Sequence, residues 1–349
     1  MKAALYHGVR RIEVEEVALP APGPGSLLVE MVRCGICGSD LHSWNGFWEQ
    51  PAAAHGHEVS GVVAAVGDGV EGFRVGDRVC TEWFSHCGRC RFCRTGRYNL
   101  CDSLQRTSGS SHAGFAEFVI AHQSSVFLLP DSLTFEEGAL VEPLAVSCRA
   151  VRRCGEDGRG TVLVMGSGTI GLLAVAAARA FGSGMVIATA RHDHQAAMSS
   201  LLGADRVLRP AGPGPAGKDA EAVMALTDSQ GADAVIETTA SAGGLADALA
   251  SVRKGGAVVV VGGYHAPVEV DLKRVIDNEI RLFGSFCYGF SGMKRDFQWS
   301  IDLIASKKVP VRRLVTHRFP IDQIAGAFEV AADKETRSIK VHICQAGQG

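Results

Sequence analysis

Residues 161–182 read TVLVMGSGTIGLLAVAAARAFG, an apolar strand, a glycine-rich turn and an apolar helix in immediate succession. In a G-x-G-x-x-G turn at this point, the first glycine makes the tight bend and the second lets a pyrophosphate approach the backbone. The third allows the helix to pack against the strand, and the helix N-terminus offers free N–H groups to the phosphates. The stretch therefore predicts a dinucleotide site; the alternative is a glycine-rich turn without a ligand. The predicted contacts are Gly166, Gly168, Thr169, Ile170 and Gly171.

Strands and helices continue to alternate after this turn. The apolar runs MVIATA, DAVIETTA and AVVVVGG are separated by helix-like segments such as GLADALASVRKGG. This order predicts a parallel sheet covered on both faces, a doubly wound α/β domain. Upstream, alternating Val-rich runs broken by Gly, Pro and Asp predict a β-rich domain, whose texture returns near the C-terminus. We therefore expect a dinucleotide-binding domain over 151–286, inserted into a β-rich domain formed by 1–150 and 287–349.

The tip of the second strand predicts which nucleotide binds. A site for NAD usually carries Asp or Glu about 20 residues after the first glycine, where it holds the ribose 2′-hydroxyl. Here the strand runs into Ala190 and Arg191, and the first carboxylate is Asp193. A small residue followed by a planar cation favours the 2′-phosphate of NADP(H) over NAD(H). The alternative is that Arg191 is a solvated loop charge and that Asp193 folds back to the ribose.

Four cysteines lie close together in the stretch HCGRCRFCRTGRYNLC. The spacing C-x2-C-x2-C-x7-C lets four thiolates meet on one tetrahedral Zn²⁺, and four protein ligands make such a zinc structural. The total of eleven cysteines is odd, and residues 1–17 show no apolar core of a signal peptide. A disulfide framework is therefore disfavoured, and a reducing cytoplasmic location is expected. The predicted ligands are Cys87, Cys90, Cys93 and Cys101, in a lobe over 85–103.

A second set of metal-ligand residue types lies upstream, between two β-like segments. The stretches CGICGSDLH and AHGHEVSG contain Cys37, His42, His55, His57 and Glu58. Thiolate, imidazole and carboxylate all suit Zn²⁺, and a catalytic zinc keeps one position open. The residue types alone leave open which histidine binds, because an isolated histidine is more often a surface or core residue than a ligand.

Together these motifs resemble one enzyme family over essentially the whole chain. C-G-I-C-G-S-D-x-H, G-H-E-x-x-G, the four-cysteine lobe, V-E-P-L-A-V and GSGTIG follow one another as in zinc-dependent medium-chain alcohol and polyol dehydrogenases, in the branch of sorbitol and threonine dehydrogenases. The resemblance implies a GroES-like β-rich catalytic domain with an inserted Rossmann-type domain. It also implies an oxidoreductase with one catalytic and one structural Zn²⁺, which transfers hydride between a secondary alcohol and a nicotinamide cofactor.

The resemblance implies roles for individual residues. Cys37 and His57 would be ligands of the catalytic zinc, and Glu58 resembles the third ligand of polyol-type members. Glu142, in VEPLAV, stands where alcohol dehydrogenases proper have a cysteine, and it would ligate directly or through a water. Asp40 would orient His57. The other implied contacts are a proton relay through Ser39 and His42, whose alternative is a turn hydroxyl and a surface histidine, and a pyrophosphate-binding cation at Lys340.

The sequence is less specific about substrate and assembly. The aromatic residues Trp44, Phe47 and Trp48 could line the substrate pocket or pack at a domain edge. The resemblance favours a small-molecule alcohol or ketone substrate, of the polyol, cyclitol or sugar-like kind. It also implies a homodimer or homotetramer, for which the apolar stretch RLFGSFCYG is a candidate edge strand. The alternative is that this stretch is an internal strand of the sheet.

Two other functions fit part of the sequence. A zinc-free quinone or enoyl reductase would have the same fold, but such proteins lack the G-H-E ligands and the cysteine lobe. A zinc module that binds nucleic acid would use the arginines between the lobe cysteines. The net charge of −2 disfavours a nucleic-acid partner. No apolar run is long enough for a membrane span, so we expect no membrane partner.

Overall fold

The computed structural model describes residues 1–47, 55–106, 113–210 and 218–345. The chain forms two compact units, which are Met1–Glu142 with Ser300–Lys307 and Val311–Gly349, and Pro143–Trp299 with Lys308–Pro310. The domain boundaries expected from the sequence stay a prediction.

The N-terminal part of the first unit is mainly strands joined by short helices. Its strands are β1 (Lys2–Gly8), β2 (Arg11–Glu16), β3 (Ser26–Gly35), β4 (Glu58–Val66), β5 (Arg78–Thr81), β6 (Phe84–Ser85), β7 (Gln105–Arg106), β8 (Phe118–His122) and β9 (Val126–Leu128). Its α-helices are α1 (Gly38–Trp44), α2 (Arg91–Arg94) and α3 (Phe135–Ala139), followed by α4 (Val141–Arg153) at the junction of the two units.

Strands and helices alternate along the second unit. Its strands are β10 (Thr161–Met165), β11 (Met185–Thr189), β12 (Arg206–Leu208), β13 (Ala232–Glu237), β14 (Val252–Val260), β15 (Arg281–Gly284), β16 (Phe290–Ser291) and β17 (Lys294–Arg295). Its helices are α5 (Thr169–Ala180), α6 (Asp193–Leu201), α7 (Lys218–Leu226), α8 (Ala242–Ser251) and α9 (Leu272–Asp277). The chain ends with α10 (Asp296–Ala305), β18 (Val315–Pro320), α11 (Ile324–Ala332) and β19 (Lys340–Cys344). Short 3₁₀ turns occur at Tyr98–Leu100, Gln123–Ser125, Gly155–Arg159, Val311–Leu314, Ile321–Gln323 and Lys334–Thr336.

The first unit is built on a seven-stranded sheet that uses both ends of the chain. Its order is β18-β19-β3-β4-β5-β9, and β8 also pairs with β3. All pairs are antiparallel except β18 with β19. At one end of the sheet, Gly35 of β3 pairs with Glu58 of β4. This pairing brings together the chain that leaves β3, which carries Cys37, and the chain that enters β4, which carries His57.

The second unit contains a six-stranded parallel sheet in the order β12-β11-β10-β13-β14-β15. The chain runs outward from β10 to β12 and then starts again on the other side of β10, at β13. In such a sheet, ligands bind at the carboxyl ends of the strands where the order reverses. Val162, Leu163 and Val164 of β10 are completely buried, as expected for a parallel sheet covered on both faces.

Three local sequence predictions can be compared with these elements. The stretch RLFGSFCYG is a strand only over Arg281–Gly284, which is β15 at the edge of the parallel sheet. The Gly- and Pro-rich segment AGPGPAGKDA, at 211–220, is predicted to be a surface loop; its residues up to 217 lie outside the described residues, and its last three begin α7. The stretch FEEGALVEPLAVSCRAVRRC, which follows Leu133 and whose apolar spacing predicts helix, forms α3 and α4.

Candidate active site

The four lobe cysteines lie together between β6 and β7. The Sγ atoms of Cys87, Cys90, Cys93 and Cys101 are all within 4.8 Å of one another. The Sγ atom of Cys90 lies 3.5 Å from that of Cys93 and 3.9 Å from that of Cys101. The Sγ atoms of Cys87 and Cys93 are 4.0 Å apart. Four thiolates about 2.3 Å from one tetrahedral zinc would lie about 3.8 Å apart, so the lobe fits a structural zinc ion.

Backbone N–H groups favour the ionised form of two of these thiols, Cys87 and Cys90. The N–H of Cys87 donates to Sγ of Cys101 at 3.4 Å, and the N–H of Cys90 donates to Sγ of Cys87 at 3.4 Å. Hydrogen bonds from the backbone of Arg89 and Cys90 lower the pKa of Cys87 to about 6, whereas burial raises the pKa of Cys93 to about 12. Zinc binds the thiolate form, so the backbone prepares Cys87 and Cys90 as ligands. All eleven cysteines lie in the described residues, and none is in a disulfide.

Cys37, His57 and Glu58 form a second group of ligand types. Cys37 is the N-cap of α1, His57 directly precedes β4, and Glu58 is the first residue of β4. One ligand atom of each lies within 4.8 Å of the other two. A Cβ added to Gly35 would lie 1.9 Å from Oε2 of Glu58. Glycine on the neighbouring strand therefore leaves the room that the buried Glu58 carboxylate needs.

Asp40 lies behind this group and contacts two of its parts. One oxygen accepts a hydrogen bond from the backbone N–H of Cys37 at 2.8 Å, and the other lies 3.9 Å from Nδ1 of His57. Burial lowers the pKa of His57, but the charges of Asp40 and Cys37 outweigh it and hold that pKa well above its usual value. A carboxylate that orients an imidazole in this way is typical of a metal-binding histidine.

Glu58 is fully buried together with Lys340. The Nζ of Lys340 lies 2.7 Å from both oxygens of Glu58, and it donates to the carbonyl oxygen of Ile36 at 2.8 Å. An ammonium group has three N–H donors, and these contacts use all three, so the charge of Lys340 balances a buried carboxylate. The predicted pyrophosphate contact of Lys340 stays a prediction.

Glu142 lies near the group of Cys37, His57 and Glu58 but does not join it among the described residues. It is buried in the first turn of α4. Burial raises the pKa of Glu142 to about 7; His57 opposes this rise and Glu58 adds to it. A divalent cation beside these carboxylates would lower the pKa again. In residue type and in charge, the whole set suits a catalytic zinc.

The glycine-rich turn after β10 is closely packed. Gly166 has φ of +90°, and a Cβ on Gly171 would lie 1.7 Å from the carbonyl oxygen of Gly166, whereas a Cβ on Gly168 would meet nothing within 4 Å. The N–H of Gly166 donates to Oγ1 of Thr189 at 2.9 Å, and Oγ of Ser167 donates to the carbonyl of Thr189 at 2.8 Å. Hydrogen bonds thus hold the turn at the last residue of β11. The backbone of Gly168 stays accessible to a ligand.

The residues after β11 carry opposite charges. Ala190 is buried and Arg191 is exposed. Asp193 is the first residue of α6, and its carboxylate forms an ion pair with Arg209, which follows β12. The strand tip therefore presents a small buried residue followed by an exposed arginine.

Comparisons with known proteins place this arrangement in a family. Residues 23–131 match the alcohol dehydrogenase GroES-like domain, and residues 169–306 match the zinc-binding dehydrogenase family. The sorbitol dehydrogenase of Bacillus subtilis (strain 168) is 36% identical, over 98% of this chain and 97% of that protein. The chain belongs to the zinc-dependent medium-chain polyol dehydrogenase family.

Further relatives agree with this dehydrogenase family. The L-idonate 5-dehydrogenase of Vitis vinifera is 32% identical, over 95% of this chain and 91% of that protein. A zinc-binding dehydrogenase from Sinorhizobium meliloti 1021, solved with bound NADP, matches with a TM-score of 0.87 and 30% identity, over 98% of both chains. The predicted fold, a GroES-like β-rich domain with an inserted Rossmann-type domain, is confirmed.

The structure describes two of the three aromatic residues that were left with two possible roles. Trp44 is 2% exposed and packs on Phe328 at a centroid distance of 5.1 Å, so it belongs to the core. Trp48 lies outside the described residues, and Phe47 is exposed. The aromatic ring beside the candidate metal ligands is Trp83, 6.0 Å from His57. Trp83 follows β5 in the stretch CTEWF, and nothing else in the sequence indicates that it lies beside the candidate metal ligands.

Helix α1 of this dehydrogenase carries both residues of the predicted proton relay. Ser39 and His42 are both partly buried, and they are three residues apart, which places them on one side of the helix. The relay itself stays a prediction. Within the ranges of the chain that the structure describes, no helix has the length and apolar character that a membrane crossing requires.

Proposed function

We propose that this dehydrogenase oxidises a secondary alcohol of a polyol, cyclitol or sugar-like compound with NADP⁺, in a zinc-dependent reaction. The observation that carries the proposal is the meeting of Cys37, His57 and Glu58 beside Asp40. A sorbitol dehydrogenase and an L-idonate 5-dehydrogenase among the relatives support a polyhydroxylated substrate. In the reverse direction, the corresponding ketone would be reduced.

Cys37, His57 and Glu58 would hold the catalytic zinc, with Glu142 as a further ligand, direct or through a water. The zinc ion would supply Lewis-acid polarisation of the substrate oxygen. Asp40 keeps the imidazole of His57 in one orientation. Lys340 balances the charge of Glu58, which limits the excess of negative charge at the site.

Oxidation of the alcohol removes one hydride and one proton from the substrate. The nicotinamide cofactor, when bound, would supply the acceptor for the hydride from the carbinol carbon, and that chemistry belongs to the cofactor. The hydroxyl proton must reach solvent, and Ser39 followed by His42 would carry it outward along one side of α1. The remaining product is a ketone.

The cofactor would lie on the second unit. Its pyrophosphate would contact the turn formed by Gly166, Gly168, Thr169, Ile170 and Gly171, at the N-terminus of α5. Ala190 and Arg191 would favour a 2′-phosphate over a 2′-hydroxyl. The NADP-bound relative supports this preference.

A homodimer or homotetramer is part of the proposal. The strand β15 lies at the edge of the parallel sheet, and an edge strand offers unpaired backbone groups to a second copy. Light scattering should give the mass of two or four chains, and the mass of one chain would contradict this part.

Alanine substitutions at two glycines of the turn should have different effects, one on folding stability and the other on cofactor binding. Gly171→Ala should lower the free energy of unfolding by about 1–3 kcal/mol, because its Cβ would meet the carbonyl of Gly166. Gly168→Ala should change that free energy by about 1 kcal/mol or less, yet weaken NADP binding, because the pyrophosphate approaches this backbone. Urea unfolding and cofactor titration measure the two effects. NADP binding by Gly168→Ala as tight as that of the native chain would contradict the placement.

Metal analysis should give two zinc ions per chain. Cys90→Ser should reduce this content to about one, because a structural site needs all four thiolates. Cys287→Ser is the matched control, since Cys287 belongs to neither cluster. A fully active preparation with one zinc per chain would contradict the two-site proposal.

The test of the proposed function is the reduction of NADP⁺ and NAD⁺ across a panel of polyols, cyclitols, sugars and simple secondary alcohols. We expect an NADP-linked rate with one polyhydroxylated class. Turnover with NAD⁺ alone would overturn the nucleotide preference and leave the dehydrogenase assignment standing. Reduction of quinones or enoyl compounds, with no alcohol oxidised, would favour the zinc-free reductase instead.

A further inference from the structure

Arg209 is hydrogen-bonded to the residues that directly follow β11. It follows β12, the neighbour of β11, and its Nη1 donates to the carbonyl oxygens of Ala190 at 3.4 Å and of Arg191 at 3.1 Å. Its Nη2 donates to the carboxylate of Asp193. Three acceptors from one short stretch therefore hold this guanidinium beside the first residues after the strand.

The same strand tip lies directly against the glycine-rich turn. Thr189, the last residue of β11, accepts hydrogen bonds from the N–H of Gly166 and from Oγ of Ser167. In a sheet of this order, the adenosine ribose lies at the tip of the second strand when the pyrophosphate lies at the turn. Arg209 is therefore placed where a substituent on the ribose 2′ position would be.

The ion pair between Arg209 and Asp193 contributes little to folding stability. The side chain of Arg209 is 48% exposed and that of Asp193 99% exposed, and an exposed ion pair contributes little to stability. Asp193 has one negative charge, against the two positive charges of Arg191 and Arg209. Among the described residues, the Nε–H of Arg209 and the guanidinium of Arg191 have no hydrogen-bond partner. The strand tip therefore keeps a net positive charge and unused N–H donors.

We infer that Arg209 is a second binding residue for the 2′-phosphate of NADP, and that its ion pair withholds Asp193 from the ribose of NAD. The inference rests on the NADP preference proposed above. Without Arg209, the free carboxylate of Asp193 would repel a phosphate and could accept a hydrogen bond from a 2′-hydroxyl. With Arg209 in place, that carboxylate is occupied, and a planar guanidinium offers further N–H groups to the phosphate.

Binding of two nucleotide fragments tests this inference without any turnover. Adenosine 2′,5′-bisphosphate carries the 2′-phosphate, and adenosine 5′-phosphate lacks it. We expect the native chain to bind the bisphosphate more tightly in calorimetry. Arg209→Leu should weaken bisphosphate binding by about 10- to 100-fold, the usual effect of losing a charge-assisted hydrogen bond, and leave 5′-phosphate binding little changed. Asp193→Asn should bind the bisphosphate at least as tightly as the native chain, because it removes a repelling charge.

Arg206→Leu is the matched control, since this exposed arginine on β12 donates to the carbonyl of Asp205 and not to the residues after β11. It should bind both fragments as the native chain does. If the native chain prefers the bisphosphate and Arg209→Leu keeps that preference in full, the role of Arg209 is overturned while the NADP proposal stands. If the native chain binds both fragments equally, the NADP proposal fails and this inference fails with it.

Discussion

Cys37→Ala should lower turnover by about 10³-fold or more while NADP binding stays intact. The thiol of Cys37 lies within 4.8 Å of ligand atoms of His57 and Glu58, and no other sulfur is in that group among the described residues. Polarisation of a substrate oxygen by a metal contributes several kcal/mol to the barrier, and each 1.36 kcal/mol is about tenfold in rate. The glycine-rich turn that would hold the cofactor lies in the other unit, so its binding should be unaffected.

The measurements are steady-state kinetics, zinc content and cofactor titration on the same preparation. Zinc content should fall from two to one per chain. Cys34→Ala is the matched control, since Cys34 lies at the end of β3, three residues before Cys37, but belongs to neither cluster. It should retain turnover despite some loss of stability. Normal turnover by Cys37→Ala would remove Cys37 from the reaction.

Lys340→Met should lower the free energy of unfolding by about 3–5 kcal/mol. This change removes the ammonium that lies 2.7 Å from both oxygens of Glu58 and leaves a fully buried carboxylate without its ammonium partner. The loss of one partner of a buried ion pair typically has a destabilising effect of this size. Urea unfolding, followed by circular dichroism, measures the effect.

A double-variant cycle separates this charge effect from packing. Glu58→Gln with Lys340→Met should be more stable than Lys340→Met alone, because the buried negative charge is gone as well. Lys273→Met is the control, since Lys273 pairs with Asp277 on the exposed side of α9. It should change stability by about 0.5 kcal/mol or less. A Lys340→Met chain as stable as the control would show that the buried pair has no structural role.

Features whose residues lie close together in the sequence were predictable. The cysteine lobe needs ligands from one short stretch, so spacing alone brings Cys87 and Cys101 into one cluster. The glycine-rich turn is equally local, because its three glycines serve one βα junction. The family resemblance supplied the rest of the site, and the structure brings Cys37, His57 and Glu58 together as that resemblance implies.

Contacts between distant parts of the chain were not predictable. Lys340 and Glu58 are 282 residues apart, and nothing near either residue signals the other. The pairings of β19 with β3 and of β3 with β4 bring them together. Trp44 was left with two possible roles because a tryptophan in a short helix next to a loop gives no sign of which side it buries. Asp193 was also left with two possible roles, since its partner Arg209 follows another strand.

The most direct test of the central claim is the rate of NADP⁺ reduction with the preferred polyol before metal removal, after chelation, and after zinc is added back. We predict that chelation abolishes the rate and that Zn²⁺ restores it, while the chain stays folded and still binds NADP. An unchanged rate after complete removal of zinc would contradict the account, and it would make this chain a zinc-free reductase on the same fold.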